Sequence, residues 1–521
     1  MIKIETHCHI KGGSYCGKCT TDDIVNRYVE QGYGAVILTH HYSKTCPFEA
    51  ETKEKQMEKV DFLYSLFNEL NTKAVKKGLK IFFAVEVRLV SDGTEYVLIG
   101  FDKDFFYKHP ALYDLTQVEL FNLANENGLF MYQTHPFREG VTARNPKYMH
   151  GAECFNGHFH HVNNNAPTNE FLEKNGLIKM AGTDFHEGMQ PITSAMYIPK
   201  NIDTEKQLAQ YFLTGKAEIF SDEEYYQREM KRFKLNRIRL ASHNIWNRDS
   251  NSPEWEKKGE DCSAAARVGG LLRVYKETTP DVIGCQECSA LMADLLKQGF
   301  EKENLNYTLI WGRFTPIFYR SDKFELIDSE FKTYPDYIDG FDGKFNDVKS
   351  KAYNVAVFRV KENGKLFVFA TTHLWWKQSP SDKLFSQGSD YQEFSDEARE
   401  YQLSLLTEKV KYFCDKYNCP AVIVGDMNTD YNSKAIQTAL SCGFNHAYNI
   451  ATEYAEEKVG YHNCFPWGYE REYFDQPFET AIDHILVFNE PNGMVKRFER
   501  YSPEYYFPIS DHSLVYVDIE I

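Results

Sequence analysis

Short apolar runs in this chain break off, one after another, at a histidine, a carboxylate or an asparagine. A clear case is AVIVGDMN at positions 421–428, where five apolar-rich residues give way to a turn that exposes Asp426 and Asn428. Side chains two apart on a strand share a face, so this carboxylate and this amide are aimed together beyond the strand end. Gly, Asp and Asn are also ordinary turn residues, and one such exit would mean little. Repetition is what constrains the fold, because strands that end alike collect their polar groups at one edge or mouth of a sheet.

The first half repeats the pattern with ligand-type residues. His7 and His9 lie two apart on the first apolar run, His40 and His41 end the second, and Glu86 lies near the end of the run at 81–87. His135 follows the run at 129–133, and Asp184 and His186 follow the one at 178–181. Imidazole and carboxylate together suit zinc, manganese or iron. Between these runs the pattern predicts strands at 2–10, 35–39, 80–87, 96–99, 129–133, 151–154 and 178–181. Helices are expected at 22–31, capped by Thr21 and stopped at Gly32, and at 49–77 and 114–127. Such strand–helix alternation predicts a barrel or a doubly wound sheet.

A polar, charge-dense stretch, SDEEYYQREMKRFKLN at 221–236, interrupts this rhythm and reads as a helical linker. The expected organisation is therefore a first domain over 1–222, a linker over 223–235 and a second domain over 236–521. In the second, longer paired strands are expected at 237–243, 318–333, 353–360 and 366–372, with helices at 264–277 and 395–416 and closing strands at 481–488 and 513–521. Their ends carry Asn244, Glu287, His373, Asp426 with Asn428, Asp483 with His484, and Asp511 with His512. Hard oxygen ligands with an amide beside them favour Mg2+ or Mn2+ over zinc.

Composition bounds the rest. At 521 residues, 42% hydrophobic and 26% charged, the chain is long enough for two or more domains, each with its own core. No run approaches the roughly 18 to 20 apolar residues of a membrane span, and MIKIETHCHI lacks the basic and apolar regions of a secretory leader. A cytoplasmic protein without membrane association is expected. Twelve Cys are sparse for this length and read as reduced thiols. Cys16 and Cys19 form one CxxC, a spacing used by zinc sites and redox pairs but weak when isolated. The net charge of −16 is shared, with 24 Lys and Arg against 31 Asp and Glu over residues 1–230. Coating duplex nucleic acid needs a basic footprint, so a phosphorylated small molecule, a nucleotide or a short single strand fits better as substrate.

Over about residues 1–225 the chain resembles the PHP (polymerase and histidinol phosphatase) family. The matching residues are HxH at His7 and His9, TxH at Thr39 to His41, Glu86, THP at Thr134 to Pro136, ExxN at Glu153 to Asn156, and GTDFH at Gly182 to His186. The resemblance implies a distorted (β/α)7 barrel that holds two or three of Zn2+, Mn2+ or Fe2+ and hydrolyses phosphoesters. It further implies that His7, His9, Glu86 and Asp184 hold one metal, that Glu86 bridges to a second also bound by His135, and that His41 and His186 hold a third. Two positions depart from the family. His40 stands where an acidic residue is usual, and Val97 lies near where many members have a His, so Glu153 is a candidate to complete the second metal.

Over about residues 236–521 the chain resembles the endonuclease/exonuclease/phosphatase, or deoxyribonuclease I-like, family. The matching motifs, in order, are Asn244, QE at Gln286 and Glu287, THL at Thr371 to Leu374, GDMN at Gly425 to Asn428, IDH at Ile482 to His484, and SDH at Ser510 to His512. This resemblance implies a four-layer α/β/β/α sandwich with Mg2+ or Mn2+ on Glu287, supported by Asn244 and Asp511. It implies that His512, oriented by Asp483, is the general base or a phosphate ligand. Asp426 and Asn428 then position water and phosphate, and His373 binds a phosphoryl oxygen or assists the leaving group. Arg399 and Gln402 read as structural supports, and Trp375 and Trp376, at the start of an insertion over 375–395, as caps on the sheet or as stacking platforms. The chain as a whole is expected to be a bifunctional metal-dependent phosphoesterase. The alternative is that one domain, the first more readily than the second, is a degenerate metal- or ligand-binding module.

Overall fold

The computed structural model describes all residues except 160, 258, 379–390, 455–480, 502 and 507–508. The chain divides into two units, Met1–Phe233 and Lys234–Ile521. Most of the insertion expected over 375–395 lies outside the described residues. Among those described, no helix is long and apolar enough to cross a membrane.

The first unit runs β1 (Ile2–Cys8), α1 (Thr21–Glu30), β2 (Ala35–Tyr42), α2 (Lys53–Val75), β3 (Lys80–Arg88), β4 (Glu95–Ile99), α3 (Lys103–Lys108), α4 (Gln117–Glu126), β5 (Phe130–Gln133) and β6 (Gly151–Asn156). It continues through α5 (Asn165–Asn175), β7 (Ile178–Gly182), β8 (Ser194–Ile198), α6 (Glu205–Leu213), β9 (Glu218–Ser221) and α7 (Glu223–Lys234). The strands form one sheet in the order β7-β6-β5-β4-β3-β2-β1-β8-β9. The sheet curls until its ends nearly meet, with Phe185 N donating to His7 O at 3.0 Å and His9 N donating to Phe185 O at 2.9 Å. The result is a nearly closed barrel, and His7, His9 and Asp184 lie where it closes.

A regular strand–helix repeat does not account for all of it. β4 is antiparallel to both β3 and β5; against β3 this follows because only residues 89–94 separate the two strands and a parallel crossover needs a dozen or more. Gly93, at φ 72°, turns that connection. Other boundaries follow from capping. α2 starts at Lys53 because Thr52 accepts from Lys55 N, and Thr20, one residue before the expected cap, forms a capping box with Asp23 on α1. The charge-dense segment expected as a linker is α7, and its apolar face places Tyr226 and Met230 in the first unit's core.

The second unit begins with β10 (Ile238–Asn244), α8 (Pro253–Lys257), α9 (Ala264–Thr278), β11 (Val282–Gln286), α10 (Ala290–Lys302), β12 (Tyr307–Ile310), β13 (Ile317–Arg320), β14 (Phe324–Thr333), β15 (Ala352–Val360) and β16 (Leu366–His373). It continues with α11 (Ser395–Tyr417), β17 (Ala421–Asp426), α12 (Lys434–Ser441), β18 (Phe444–His446), α13 (Ala447–Ile450), β19 (Glu453–Tyr454), β20 (Asp483–Phe488), β21 (Val495–Tyr501) and β22 (Leu514–Ile519). Two sheets result, β12-β13-β11-β10-β22-β21-β19 and β14-β15-β16-β17-β20-β18.

Alternation along the strands explains the layering. Ala356, Phe358, Phe367, Phe369, Val422 and Val424 share a core with Leu240, Val282, Val515 and Val517 of the other sheet. Their neighbours Val355, Val357, Val368, Ala370 and Ile423 face the opposite way, onto Leu403, Leu406, Val410 and Phe413 of α11. The single strand expected at 318–333 is in fact two, β13 and β14, which belong to different sheets. The chain turns between them at Ser321–Lys323, where Arg320 pairs with Asp322 at 2.5 Å and Lys323 with Asp281 at 2.6 Å.

Candidate functional site

Each unit gathers polar side chains at strand ends. In the first, β1 delivers His7 and the residue after next, His9; β2 delivers His41, β3 Glu86, and the segments after β5 and β7 deliver His135, Asp184 and His186. His7 Nε2 lies 3.4 Å from both Glu86 Oε1 and Asp184 Oδ1. His9 Nε2 lies 3.2 Å from Asp184 Oδ1 and 3.5 Å from Glu86 Oε2. Glu86 also meets His41 Nδ1 at 3.1 Å and His135 Nε2 at 3.3 Å, so one carboxylate touches four imidazoles. His186 completes the group, its Nδ1 3.4 Å from Asp184 Oδ1. The ligand atoms of His7, His9 and Asp184 fall within 4.8 Å of one another, as do those of His9, His41 and His186 and those of His41, Glu86 and Glu95.

Several of these atoms lack the hydrogen bonds that buried polar atoms normally make. His7 Nε2, both ring nitrogens of His9, Glu86 Oε2 and His135 Nδ1 are buried without a hydrogen-bond partner. That donor set fits divalent transition metals. Burial alone would raise the Glu86 carboxyl, but His7 and His41 outweigh it and hold it well below the usual carboxylate range. His135 and Asp184 take positive φ, 32° and 53°, conformations that non-glycine residues hold at a cost of order 1–3 kcal/mol and that gather at functional sites.

The remaining candidates of this unit fall into place around that cluster. Glu153 lies behind the ligands: its Oε1 accepts from His7 Nδ1 at 2.7 Å and its Oε2 from His135 N at 2.8 Å. The second carboxylate that reaches His135 and His41, besides Glu86, is Glu95, at 3.5 and 3.9 Å, two residues before Val97 on the same face of β4. His40 points away from its neighbour His41 and packs on Phe83 with ring centroids 5.5 Å apart. Burial and the adjacent His41 lower its pKa to about 3, which leaves it neutral. Arg138, unmarked in the sequence, pairs with Asp184 Oδ2. Cys16 and Cys19 lie in different surroundings, Cys19 buried in an apolar cluster and Cys16 exposed.

In the second unit Asn244, Glu287, His373 and Asp426 end or directly follow adjacent strands. The register sets His373 beside Asp426 and Asp426 beside Asp483. Asn244 Nδ2 donates to Asp426 Oδ2 at 2.9 Å, and His373 Nε2 lies 3.4 Å from Asp426 Oδ2 and 4.0 Å from Glu287 Oε1. His512 Nδ1 donates to Asp483 Oδ2 at 2.7 Å, with its Nε2 3.9 Å from Asp426 Oδ2. Burial pushes Asp483 up to about 7 against the pull of His512. Asp511 rises to about 6 from burial and from its neighbours Glu287 and Asp426, despite His512. The ligand atoms of Glu287, His373 and Asp426 fall within 4.8 Å of one another, and a further carboxylate, Asp511, has its Oδ1 buried and unbonded; such a set fits a hard divalent cation. Glu287 and Asn428 again take positive φ, 55° and 51°.

Asn428 braces this site on two sides: its backbone N donates to Asp426 Oδ1 at 3.0 Å and its Nδ2 to Leu374 O at 3.1 Å. His484, the next residue on β20 after Asp483, faces away and bonds His446 and Thr429. Lys351 escaped the sequence reading. It is buried, donates to His373 Nε2 at 2.6 Å, and is lowered to about 8 by burial against the pull of Glu287 and Asp426. Arg399 and Gln402 are supports: Arg399 Nη1 donates to Lys377 O at 2.7 Å, and Gln402 Oε1 accepts from Trp375 N at 2.8 Å. Trp375 is buried against Phe345, whereas Trp376 is half-exposed and donates to Asp347.

Three solved structures similar to this chain have sequence identities of 16 to 23%. They are an endonuclease/exonuclease/phosphatase family protein of Bacteroides thetaiotaomicron (21% identity, 54% of this chain and 97% of that one, TM-score 0.40), a mannosyl-6-phosphatase of the same organism (23%, 54% and 98%, 0.40), and D. rerio TDP2 complexed with single strand DNA product (16%, 55% and 99%, 0.37). No curated protein matches the chain. Residues 241–512 match the Endonuclease/Exonuclease/phosphatase family, whose members generally use divalent cations such as Mg2+ or Mn2+. That stretch is more than half of the chain and holds the whole cluster from Asn244 to His512, and the protein belongs to this family of phosphoester hydrolases.

Proposed function

We propose that both units are metal-dependent phosphoesterases. The second hydrolyses a phosphodiester or phosphomonoester in a phosphorylated small molecule, a nucleotide or a short single strand. The first, with the character of a PHP domain, hydrolyses a phosphoester at its own centre. One observation supports this reading above the rest: each unit gathers its own set of carboxylates and imidazoles within ligand distance of one another.

When bound, the cations would neutralise charge on the phosphoryl oxygens and make water a stronger acid. In the second unit Glu287, Asp426 and Asp511 would hold the ion, with Asn244 fixing Asp426. Asp483 accepts from His512 Nδ1 and so turns Nε2 toward the cluster, where it serves as general base or phosphate ligand. Lys351, whose Nζ donates to His373 Nε2, brings a cation to the site suited to a nonbridging oxygen or a departing one, with His373 orienting it. Asn428 keeps Asp426 aligned through its backbone N–H. In the first unit His7, His9, Glu86 and Asp184 would hold one ion, Glu86 and His135 a second, aided by Glu95, and His41 with His186 a third.

A second reading keeps the first unit as a degenerate metal- or ligand-binding module. His40, the departure that prompts it, lies outside the cluster. Glu287→Ala and Asp184→Ala, assayed on diester and monoester panels, separate the two. Each variant is expected to lose one activity by about 10²–10³-fold and keep the other. If Asp184→Ala loses nothing while Glu287→Ala loses everything, the second reading stands. Full activity in both overturns the assignment.

A further inference from the structure

The connection from β1 to α1 carries an exposed thiol into the mouth of the first unit's cluster. Its path is tightly held. Lys18 N donates to His186 O at 2.8 Å, Lys11 N to Cys19 O at 2.9 Å, and Gly17 N to Ser14 Oγ at 2.9 Å. At Gly17 even a Cβ would lie 2.6 Å from Ile10 O. So anchored, Cys16 is carried to the edge of the cluster, two residues before the Lys18 that bonds His186. It lines a cavity of about 450 Å3 together with Tyr15, His41, Arg88 and Glu95. Behind it the ligand nitrogens of His9, His41 and His186 converge within 4.8 Å, and His9 is fully buried with both ring nitrogens unbonded.

We infer that Cys16 is a sulfur ligand of the metal ion assigned above to His41 and His186. Two imidazoles leave a tetrahedral ion short of protein ligands, and a thiolate beside them selects zinc over magnesium or manganese. The positions around Glu86 and Asp184 offer carboxylate oxygen instead, so the cluster holds ions of different preference. Cys19 has no part in this site. The CxxC spacing places one cysteine at the cavity and the other in the core. The inference rests on the reading that this cluster binds metal.

Cobalt substitution of the full chain tests it without an activity assay. Cobalt-loaded protein is expected to show a near-ultraviolet thiolate-to-cobalt charge-transfer band. Cys16→Ser should lose that band and keep the visible bands of the remaining cobalt, whereas Cys46→Ser, altered at a second cysteine lining the same cavity, should keep it. An unmodified protein gives an independent readout: iodoacetamide should label Cys16 more slowly with zinc bound than after chelation. Bound cobalt without a charge-transfer band, a band that survives in Cys16→Ser, or equal labelling with and without zinc overturns the inference and leaves metal binding intact. A chain that retains no cobalt or zinc in the first unit overturns both.

Discussion

Asp483 and His512 lie 29 positions apart in the chain, yet their side chains meet at 2.7 Å in a buried setting. A carboxylate there fixes the imidazole as the Nδ1–H tautomer, while an amide can present either donor or acceptor and does not. Asp483→Asn is therefore expected to lower kcat by about 10²–10⁴-fold, the worth of a positioned acid–base group, with KM little changed, in steady-state assays on a chromogenic phosphodiester. A fall below tenfold would remove His512 from proton transfer. His7, His9, Glu86 and Asp426 were legible in the sequence because each closes an apolar run, and period two then tells which neighbours share its face; His512, which precedes its strand, was legible only through the SDH motif. Lys351 and Glu95 were not legible, because each precedes or opens a strand. They reach the clusters only through pairing, Lys351 by adjoining Ala352 opposite His373 and Glu95 by lying opposite Arg88, two positions from Glu86. His40 shows the converse: a histidine at the right spacing that alternation turns into the core.

At the scale of elements, β17 holds the second site together. It pairs with β16 on one side and β20 on the other, so Gly425 and Asp426 set the positions of Thr372, His373 and Asp483. A Cβ on Gly425 would lie 2.3 Å from Thr372 O, a backbone atom that cannot swing aside. Gly425→Ala is expected to lose about 1–3 kcal/mol of stability, read from the denaturant midpoint, and to lose activity in the same variant because three site residues move with the strand. Gly269 is the contrast. It lies exposed in α9 with nothing within 4 Å of an added Cβ, so Gly269→Ala should gain up to about 1 kcal/mol and leave kcat unchanged. Most strands and long helices were legible from periodicity. What failed was connectivity: the turn at 321–323 sends β13 and β14 to different sheets, and the short link between β3 and β4 forces an antiparallel pair. Both depend on the length and chemistry of a connection more than on the strands it joins.

For the whole molecule, the central physical point is that each unit buries its own core. Val60, Leu63, Phe83 and Leu172 belong to one and Leu240, Phe369, Val424 and Val517 to the other. A unit with its own core unfolds on its own account, so residues 1–233 and 234–521, produced separately, are each expected to melt cooperatively. Metal makes the two transitions separable in the full chain. An ion present at a hundredfold its Kd adds about 2.7 kcal/mol to the state that binds it. For units of this size each kcal/mol moves the midpoint by roughly 2–4 °C. Chelation should thus lower the first unit's transition by about 5–10 °C. Asp184→Ala removes a carboxylate that touches His7, His9 and His186, so in that variant the first transition should respond less to chelator while the second keeps the position it has in the unaltered chain. Calorimetry of the full chain, the variant and the two pieces reads all of this at once. One shared transition would show the units to be coupled, and an undiminished chelator response in Asp184→Ala would place the stabilising ion elsewhere than at His7, His9 and Asp184.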